Sequence, residues 1–280
     1  MPAADFPYTS CTGLTYDSGD YRAGLDLLLE KINTENSLPE RGRLTPDGHL
    51  LGVGIASFVE PGGITPPIPG PDGAVGDQAT VTVSPSGKVT VAVGTSGHGQ
   101  GHETAFAQLA AELLGVAYDD VTVVFGDSDT APFGYGTFGS RSAVAGGTAI
   151  YQACQAALAA ARRVDAPMSV AEAAARLGGI TATASSGAPP ETYASGSYAC
   201  VVAVDPDTGR VRVLRVIAVD DCGVVINPLG VKGMGESGTI GVPPALVNAV
   251  MDALSPYGVR HLDMPLTPEK IWTAIQDSRA

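Results

Sequence analysis

The stretch "QATVTVSPSGKVTVAVG", residues 78–94, alternates apolar and polar side chains on both sides of Pro85-Ser86-Gly87. A period of two sends successive side chains to opposite faces of a strand, and a one-residue slip would turn the whole apolar set outward. Two such runs around a Pro/Gly turn predict an antiparallel hairpin with one buried face. A second long hairpin is predicted in "GSYACVVAVDPDTGRVRVLRVIAVDDCG", residues 196–223, turning at Asp205–Gly209. "LLGVGIASFVE" (50–60) reads as a buried strand with room for close packing, and "DVTVVFGD" (120–127) as a further strand.

Helical spacing runs between these strands. "YRAGLDLLLEKI" (21–32), "ETAFAQLAAELLG" (103–115, with Gly115 as C-cap) and "AIYQACQAALAAARR" (149–163) carry apolar residues at helical intervals. "SVAEAAARLGG" (169–179) opens with Ser169 and Glu172 in capping-box spacing. "ALVNAVMDAL" (245–254) and "TPEKIWTAIQD" (267–277), the latter with Pro268 at its first helical position, complete the set. Residues 61–77 form a Pro/Gly-rich loop. The expected fold class is α+β: twisted antiparallel hairpins with helices packed on them. Two lobes are expected, residues 1–163 and 164–280, joined near 164–195.

The formal net charge of −13, from 16 basic and 29 acidic residues, argues against a nucleic-acid partner, which needs clustered Lys and Arg. Cys11, Cys154, Cys200 and Cys222 show no CxxC spacing and read as reduced thiols. The start "MPAADFPYTS" lacks the basic and apolar regions of a signal peptide. No apolar run reaches the roughly 18 residues of a membrane span. A cytoplasmic location is the expectation.

The 36 glycines cluster at 94–101, 126–147 and 230–241, and each cluster precedes an expected helix. Glycine loops leading into helix N-termini point backbone N–H groups outward and suit an anion such as phosphate or pyrophosphate. No GxxxxGK[ST] loop is present. "GTSGHGQGHETAFAQ" (94–108) is not the dinucleotide fingerprint, and no adjoining parallel-strand unit is expected beside it. His98 and His102 are four apart, but glycines interleave them and HExxH is absent. They read as hydrogen-bond donors at a loop surface, with no metal site assigned to this chain's side chains. Gln100 can donate and accept at once. Glu236, flanked by glycines, reads either as a proton acceptor or as a solvated loop residue, with Lys232 as a possible ion-pair partner. Asp127 and Asp129 suit either a cation or a turn cap.

Taken in order, "FPYTSCTGLTYDSGDY", "GTSGHGQGHETAFAQLAAELLGV", "VTVVFGDSDTAPFGYGTFGSRSAVAGG", "VVAVDPDTGRVRVLRVIAVDDCGVVINP", "GVKGMGESGTIGVPPALVNAVMDAL" and "DMPLTPEKIWTAI" resemble the molybdenum-binding large subunit of the molybdenum hydroxylases. That group includes xanthine dehydrogenase, aldehyde oxidase and aerobic carbon monoxide dehydrogenase. The resemblance covers nearly the whole chain and corresponds to the C-terminal half of such a subunit. It lacks the long insertion that the family carries between "DDCGVVINP" and "LGVKGMGE".

The resemblance implies a molybdenum–molybdopterin cofactor, in its cytosine dinucleotide form. It places Gln100, with Gly99 and Gly101, at the metal end of that cofactor. Gly139, Ser140, Arg141 and Ser142 fall in a second cofactor loop, and Lys232 and Gly233 in a third. The family's catalytic base falls on Glu236. The implied reaction oxidises a small substrate (an aldehyde, an N-heterocycle or carbon monoxide) with oxygen derived from water. FAD and [2Fe–2S] clusters are expected on partner subunits, with a further chain completing the large subunit. Two functions stay open: an oxidoreductase component, or a shortened, non-catalytic member acting as a binding or scaffold subunit. Retention of Gln100, Ser140 and Glu236 favours the first.

Overall fold

The computed structural model describes residues 3–33, 44–66, 68–70, 72–164, 167–223 and 234–279. The chain divides into two compact units. The first comprises Met1–Glu60, Tyr193–Gly223 and Glu236–Ala280; the second is built on Pro61–Thr192. This differs from the expected division at residue 163. The segment after 163 carries α4 (Val170–Leu177) and an additional strand, β7 (Ile180–Ser185), which pairs with β4 (Gln78–Val83). Strand pairing therefore returns this segment to the second unit, while residues before 61 join the late strands. Local periodicity carries no information about such non-local partners.

The first unit opens with β1 (Tyr8–Thr9) and β2 (Thr15–Tyr16), a short antiparallel pair, followed by α1 (Tyr21–Asn33). Its main sheet has the order β3 (Leu50–Gly62), β8 (Thr192–Val204), β9 (Val211–Asp221). The expected second hairpin is present: β8 and β9 run antiparallel from Ser195↔Asp221 to Val204↔Val211, with a register shift at Val201/Val202. Helix α5 (Ser237–Ala253) lies directly on β3. A Cβ on Gly52 would stand 2.0 Å from the Ala249 carbonyl oxygen, and one on Gly54 would stand 2.1 Å from that of Ala245. Only glycine on the strand, facing alanine on the helix, permits this approach. β3 is an edge strand, and α5 satisfies part of its edge. Val53 N–H donates to Asp252 Oδ2 (3.1 Å), and Asn248 Nδ2 donates to the Ile55 carbonyl (2.8 Å). Ile271 and Ile275 of α6 (Pro268–Arg279) are fully buried in the same core. Burial of each such side chain contributes about 1.5–3 kcal/mol.

The expected α5 began at 245, eight residues later than it does. Pro243 and Pro244, which precede the expected start, both lie inside the helix. Gly241 explains the tertiary demand: it is pressed against the rings of Tyr198 and Phe58, so this turn is shaped by packing.

The second unit holds a four-stranded sheet of order β6 (Val121–Val124), β5 (Val89–Val93), β4, β7. The hairpin β4–β5 pairs Ala79↔Val93 through Val83↔Val89. Val81, Val83, Val91 and Val93 are buried, while Thr80 and Thr82 face outward and meet Thr183 and Thr181 hydroxyl to hydroxyl at 2.8 and 3.2 Å. The alternation thus sets the register as expected. Helices α2 (His102–Leu114) and α3 (Gly147–Ala161) pack on each other, α3 also covering β4 and β7. Gly115 caps α2 in the left-handed region, and Ser169 with Glu172 forms a reciprocal capping box on α4.

The expectation of no parallel-strand unit beside the Gln100 loop fails. β5 and β6 pair in parallel, Val89↔Val121 to Ala92↔Val124, with α2 between them in sequence. The loop around Gln100 therefore does adjoin a parallel β–α–β unit. β6 has only four residues, too few for its partner or direction to be read from pattern alone. Among the described residues no helix is long and apolar enough to cross a membrane.

Candidate cofactor-binding site

Two of the three glycine loops belong to the second unit, and they leave its sheet from one place. Gln78, the first residue of β4, donates its N–H to the Phe133 carbonyl (2.9 Å) and accepts from Gly94 N–H (2.9 Å). Gly94 and Gly134 touch backbone to backbone: a Cβ on Gly134 would lie 2.1 Å from the Gly94 oxygen. The loops stay joined beyond this root. Thr137 Oγ1 donates to the Ser96 carbonyl (2.6 Å) and accepts from Ser96 N–H (3.2 Å). Its one proton being used, the 2.8 Å contact with Ser142 Oγ is donated by Ser142. Gln100 Nε2 donates to the same Ser96 carbonyl (3.3 Å), while its Oε1 accepts from His98 N–H. The structure thus brings Gln100 and the 139–142 loop together through Ser96 and Thr137. Sequence reasoning did not single out Thr137; a lone threonine among glycines carries no distinguishing pattern.

The second loop is bent by two successive left-handed residues, Gly139 (φ 55°) and Ser140 (φ 48°). A non-glycine residue there stores about 1–2 kcal/mol of strain. Arg141 follows, fully buried, with Nη1 2.6 Å from Asp77 Oδ2, itself fully buried. Nη1 also donates to the Gly136 carbonyl (3.0 Å) and Nε to the Ile64 carbonyl (2.9 Å). The guanidinium lies 5.3 Å from the ring centroids of both Tyr135 and Phe138. Burial pushes the Asp77 carboxyl upward, the Arg141 charge opposing it. From Ser142 the chain enters a π-helical turn, Ser142–Gly146, that continues as α3.

Gly101 (φ 80°) stands at the N-cap of α2, and no side chain caps that helix. Its first-turn N–H groups are therefore available to an anion, which a helix N-terminus favours. His98 is exposed, as expected of a surface donor. His102 is not: it is 1% exposed, its ring 4.8 Å from Phe106 and 6.1 Å from Phe125. Burial lowers its pKa, which favours the neutral ring. As the first residue of α2 it turns onto the helix's apolar face. Its Nδ1 is buried without a protein partner. Asp127 follows the turn reading, its Oδ1 accepting from Asp129 N–H at 2.9 Å. Among the described residues, no three His, Cys, Asp or Glu side chains gather as a metal cage. Amide, hydroxyl and helix-terminal N–H donors beside open glycines form a set that fits a phosphorylated organic cofactor.

Glu236 belongs to the first unit and is exposed. It is the N-cap of α5, its carbonyl accepting from Thr239 (2.9 Å) and Ile240 (3.1 Å). Gly235 and Gly238 beside it face open space. Behind it Ser237 is buried, donating to Glu60 Oε2 at 3.5 Å. Tyr198, whose hydroxyl donates to Asp220 Oδ2 (3.2 Å), is pushed up to about 12 by burial and then by Asp220. Lys232 and Gly233 lie outside the described residues.

Known proteins resemble this chain in sequence and in fold. The nicotine 6-hydroxylase large subunit of Paenarthrobacter nicotinovorans is 28% identical over an alignment of 370 positions, covering 95% of this chain and 45% of the relative. The carbon monoxide dehydrogenase large chain of Afipia carboxidovorans is 31% identical, covering 83% of this chain and 34% of its own length. Quinoline 2-oxidoreductase from Pseudomonas putida 86 superposes with a TM-score of 0.84 at 27% identity, over 99% of this chain and 48% of that one. The chain therefore spans about half or less of these relatives. With 370 aligned positions against a chain of 280 residues, at least 90 positions of the first relative face gaps here. The molybdopterin cofactor-binding domain model matches residues 27–241, and the chain belongs to that family.

Proposed function

We propose that this chain is the cofactor-holding, base-bearing part of a molybdenum hydroxylase that oxidises a small substrate with oxygen derived from water. What carries the reading is the joining of the Gln100 loop to the 139–142 loop through Ser96 and Thr137, beside an uncapped α2 N-terminus. When bound, the molybdenum centre supplies two-electron redox chemistry. Gln100 fixes the cofactor's metal end by hydrogen bonding, and Gly99 and Gly101 let it approach the backbone. Gly139 and Ser140 contribute N–H and hydroxyl donors, Ser142, whose hydroxyl proton goes to Thr137, contributes its backbone N–H, and Arg141 holds their loop from behind. Lys232 and Gly233 extend the set from the third loop. Glu236 is the general base, its carboxylate receiving a proton as the substrate is oxidised.

The substrate class is an aldehyde, an N-heterocycle or carbon monoxide. The cofactor is the cytosine dinucleotide form. Partner subunits bring FAD and [2Fe–2S] clusters, a further chain completes the large subunit, and the assembly works in the cytoplasm. The gaps against longer relatives favour a second reading, a scaffold subunit without turnover.

Molybdenum and pterin analysis of the chain, purified with its neighbour-encoded subunits, separates the two. Cofactor is expected; its absence from a well-formed complex selects the scaffold. In the loaded complex Glu236→Gln is expected to lower turnover by at least about a hundredfold with cofactor content unchanged. Near-normal turnover with full molybdenum would remove Glu236 from the mechanism.

A further inference from the structure

The carboxylate of Asp77 touches two points six residues apart in one loop. Its Oδ1 accepts from Tyr135 N–H (2.9 Å), and its Oδ2 lies 2.6 Å from Arg141 Nη1. Between those points stand Gly139 and Ser140 in their left-handed conformations. Asp77 is itself held from behind. Its N–H donates to Ser186 Oγ (3.1 Å), and its carbonyl accepts from Ser186 N–H (2.8 Å) at the end of β7. The next residue, Gln78, is the shared root of both loops.

We infer that Asp77 is a positioning residue for the cofactor loop, closing residues 135–141 into one fixed bend. This rests on the proposed reading of that loop as cofactor-binding. Stability alone is a poor reason for such a pair. Buried ion pairs are often matched or bettered by apolar side chains of similar volume. Apolar side chains cannot do what this pair does. Arg141, neutralised by Asp77, spans the Gly136 and Ile64 carbonyls, and Asp77 simultaneously fixes the Tyr135 amide. Together these contacts fix a backbone that would otherwise relax from its strained bend. Partners that orient the groups contacting a bound centre are typically worth about 10–100-fold in its affinity.

The test uses Asp77→Asn in the full chain with its partner subunits. Asparagine keeps the shape and an acceptor for Tyr135 but removes the charge opposite Arg141. Hydrogen exchange is read at 135–142 and, as internal reference, at the β4–β5 amides. Exchange at 135–142 is expected to speed by at least about tenfold with the β4–β5 amides unchanged, and pterin affinity to fall by about tenfold or more. An equal acceleration in both regions, or none in the loop, overturns the inference. Should Asp77→Asn not fold, Arg141→Lys decides. Its ammonium keeps the charge but cannot span both carbonyls, so the same local loosening is expected, and a loop as protected as wild type overturns the proposal. If the wild-type complex holds no pterin, the cofactor reading falls, while the exchange comparison still decides the role of Asp77.

Discussion

Glycine serves two opposite purposes in this chain. Along the β3–α5 contact of the first unit, Gly52 and Gly54 are present because no further atom fits: their missing Cβ positions lie about 2 Å from helix backbone. In the Gln100 loop of the second unit, a Cβ on Gly99 would meet nothing within 4 Å, and the residue sits at φ +92°. One glycine is a packing surface. The other is a backbone shape facing open space. The same letter in the sequence therefore marks a filled contact in one unit and room for something else in the other.

Substitutions put this contrast to the test. The largest effect is expected for Gly54→Ala, whose methyl would collide with the backbone of Ala245 and Ala249. Such overpacking against main chain destabilises by about 3 kcal/mol or more. Denaturant unfolding should show a collapsed midpoint; a loss under about 1 kcal/mol would mean that α5 shifts freely on β3. Next comes Asp252→Ala, which leaves the Val53 N–H at the sheet edge without its acceptor. About 2 kcal/mol is expected by the same measurement, and an unchanged midpoint would show that water takes over the edge. The smallest stability effect belongs to Gly99→Ala. Left-handed strain of about 1–2 kcal/mol, partly offset by a less flexible unfolded chain, leaves about 1 kcal/mol. Its pterin content should nevertheless fall, because the added methyl occupies the open face. Full pterin retention would place the cofactor elsewhere.

What the sequence made readable was local. Val81, Val83, Val91 and Val93 alternate with threonines, and the hairpin follows directly. Ser169 with Glu172, Gly115 and Pro268 mark helix ends through contacts within a few residues. The glycine loops were visible by composition, and family resemblance selected Gln100, the 139–142 loop and Glu236 within them. What stayed hidden depends on partners far along the chain. β7 is a short Thr/Ala run whose identity comes from pairing with β4, about a hundred residues earlier. Asp77 sits in a Pro/Gly-rich stretch and meets Arg141 only through the fold. His102 looked like its exposed neighbour His98, yet one residue of helix turns it into the core. The start of α5 was hidden too: it begins at Ser237, ahead of the expected 245, with Gly241 set against Phe58 and Tyr198.

The interrupted make-up of the first unit has a consequence during synthesis. The second unit's sheet and helices are encoded within Pro61–Thr192, so they emerge from the ribosome well before α5 does. The glycine face of β3, Gly52 and Gly54, is made before that run, but α5, which covers it, ends only at Ala253. At about 5–20 residues per second, β3 waits roughly 10–40 s with bare backbone where the helix will lie. For that interval the nascent chain carries an unprotected strand edge, the kind of surface on which chains aggregate. Chaperone demand should therefore peak between the emergence of β3 and that of α5, and should be set by translation speed rather than by the stability of the finished protein.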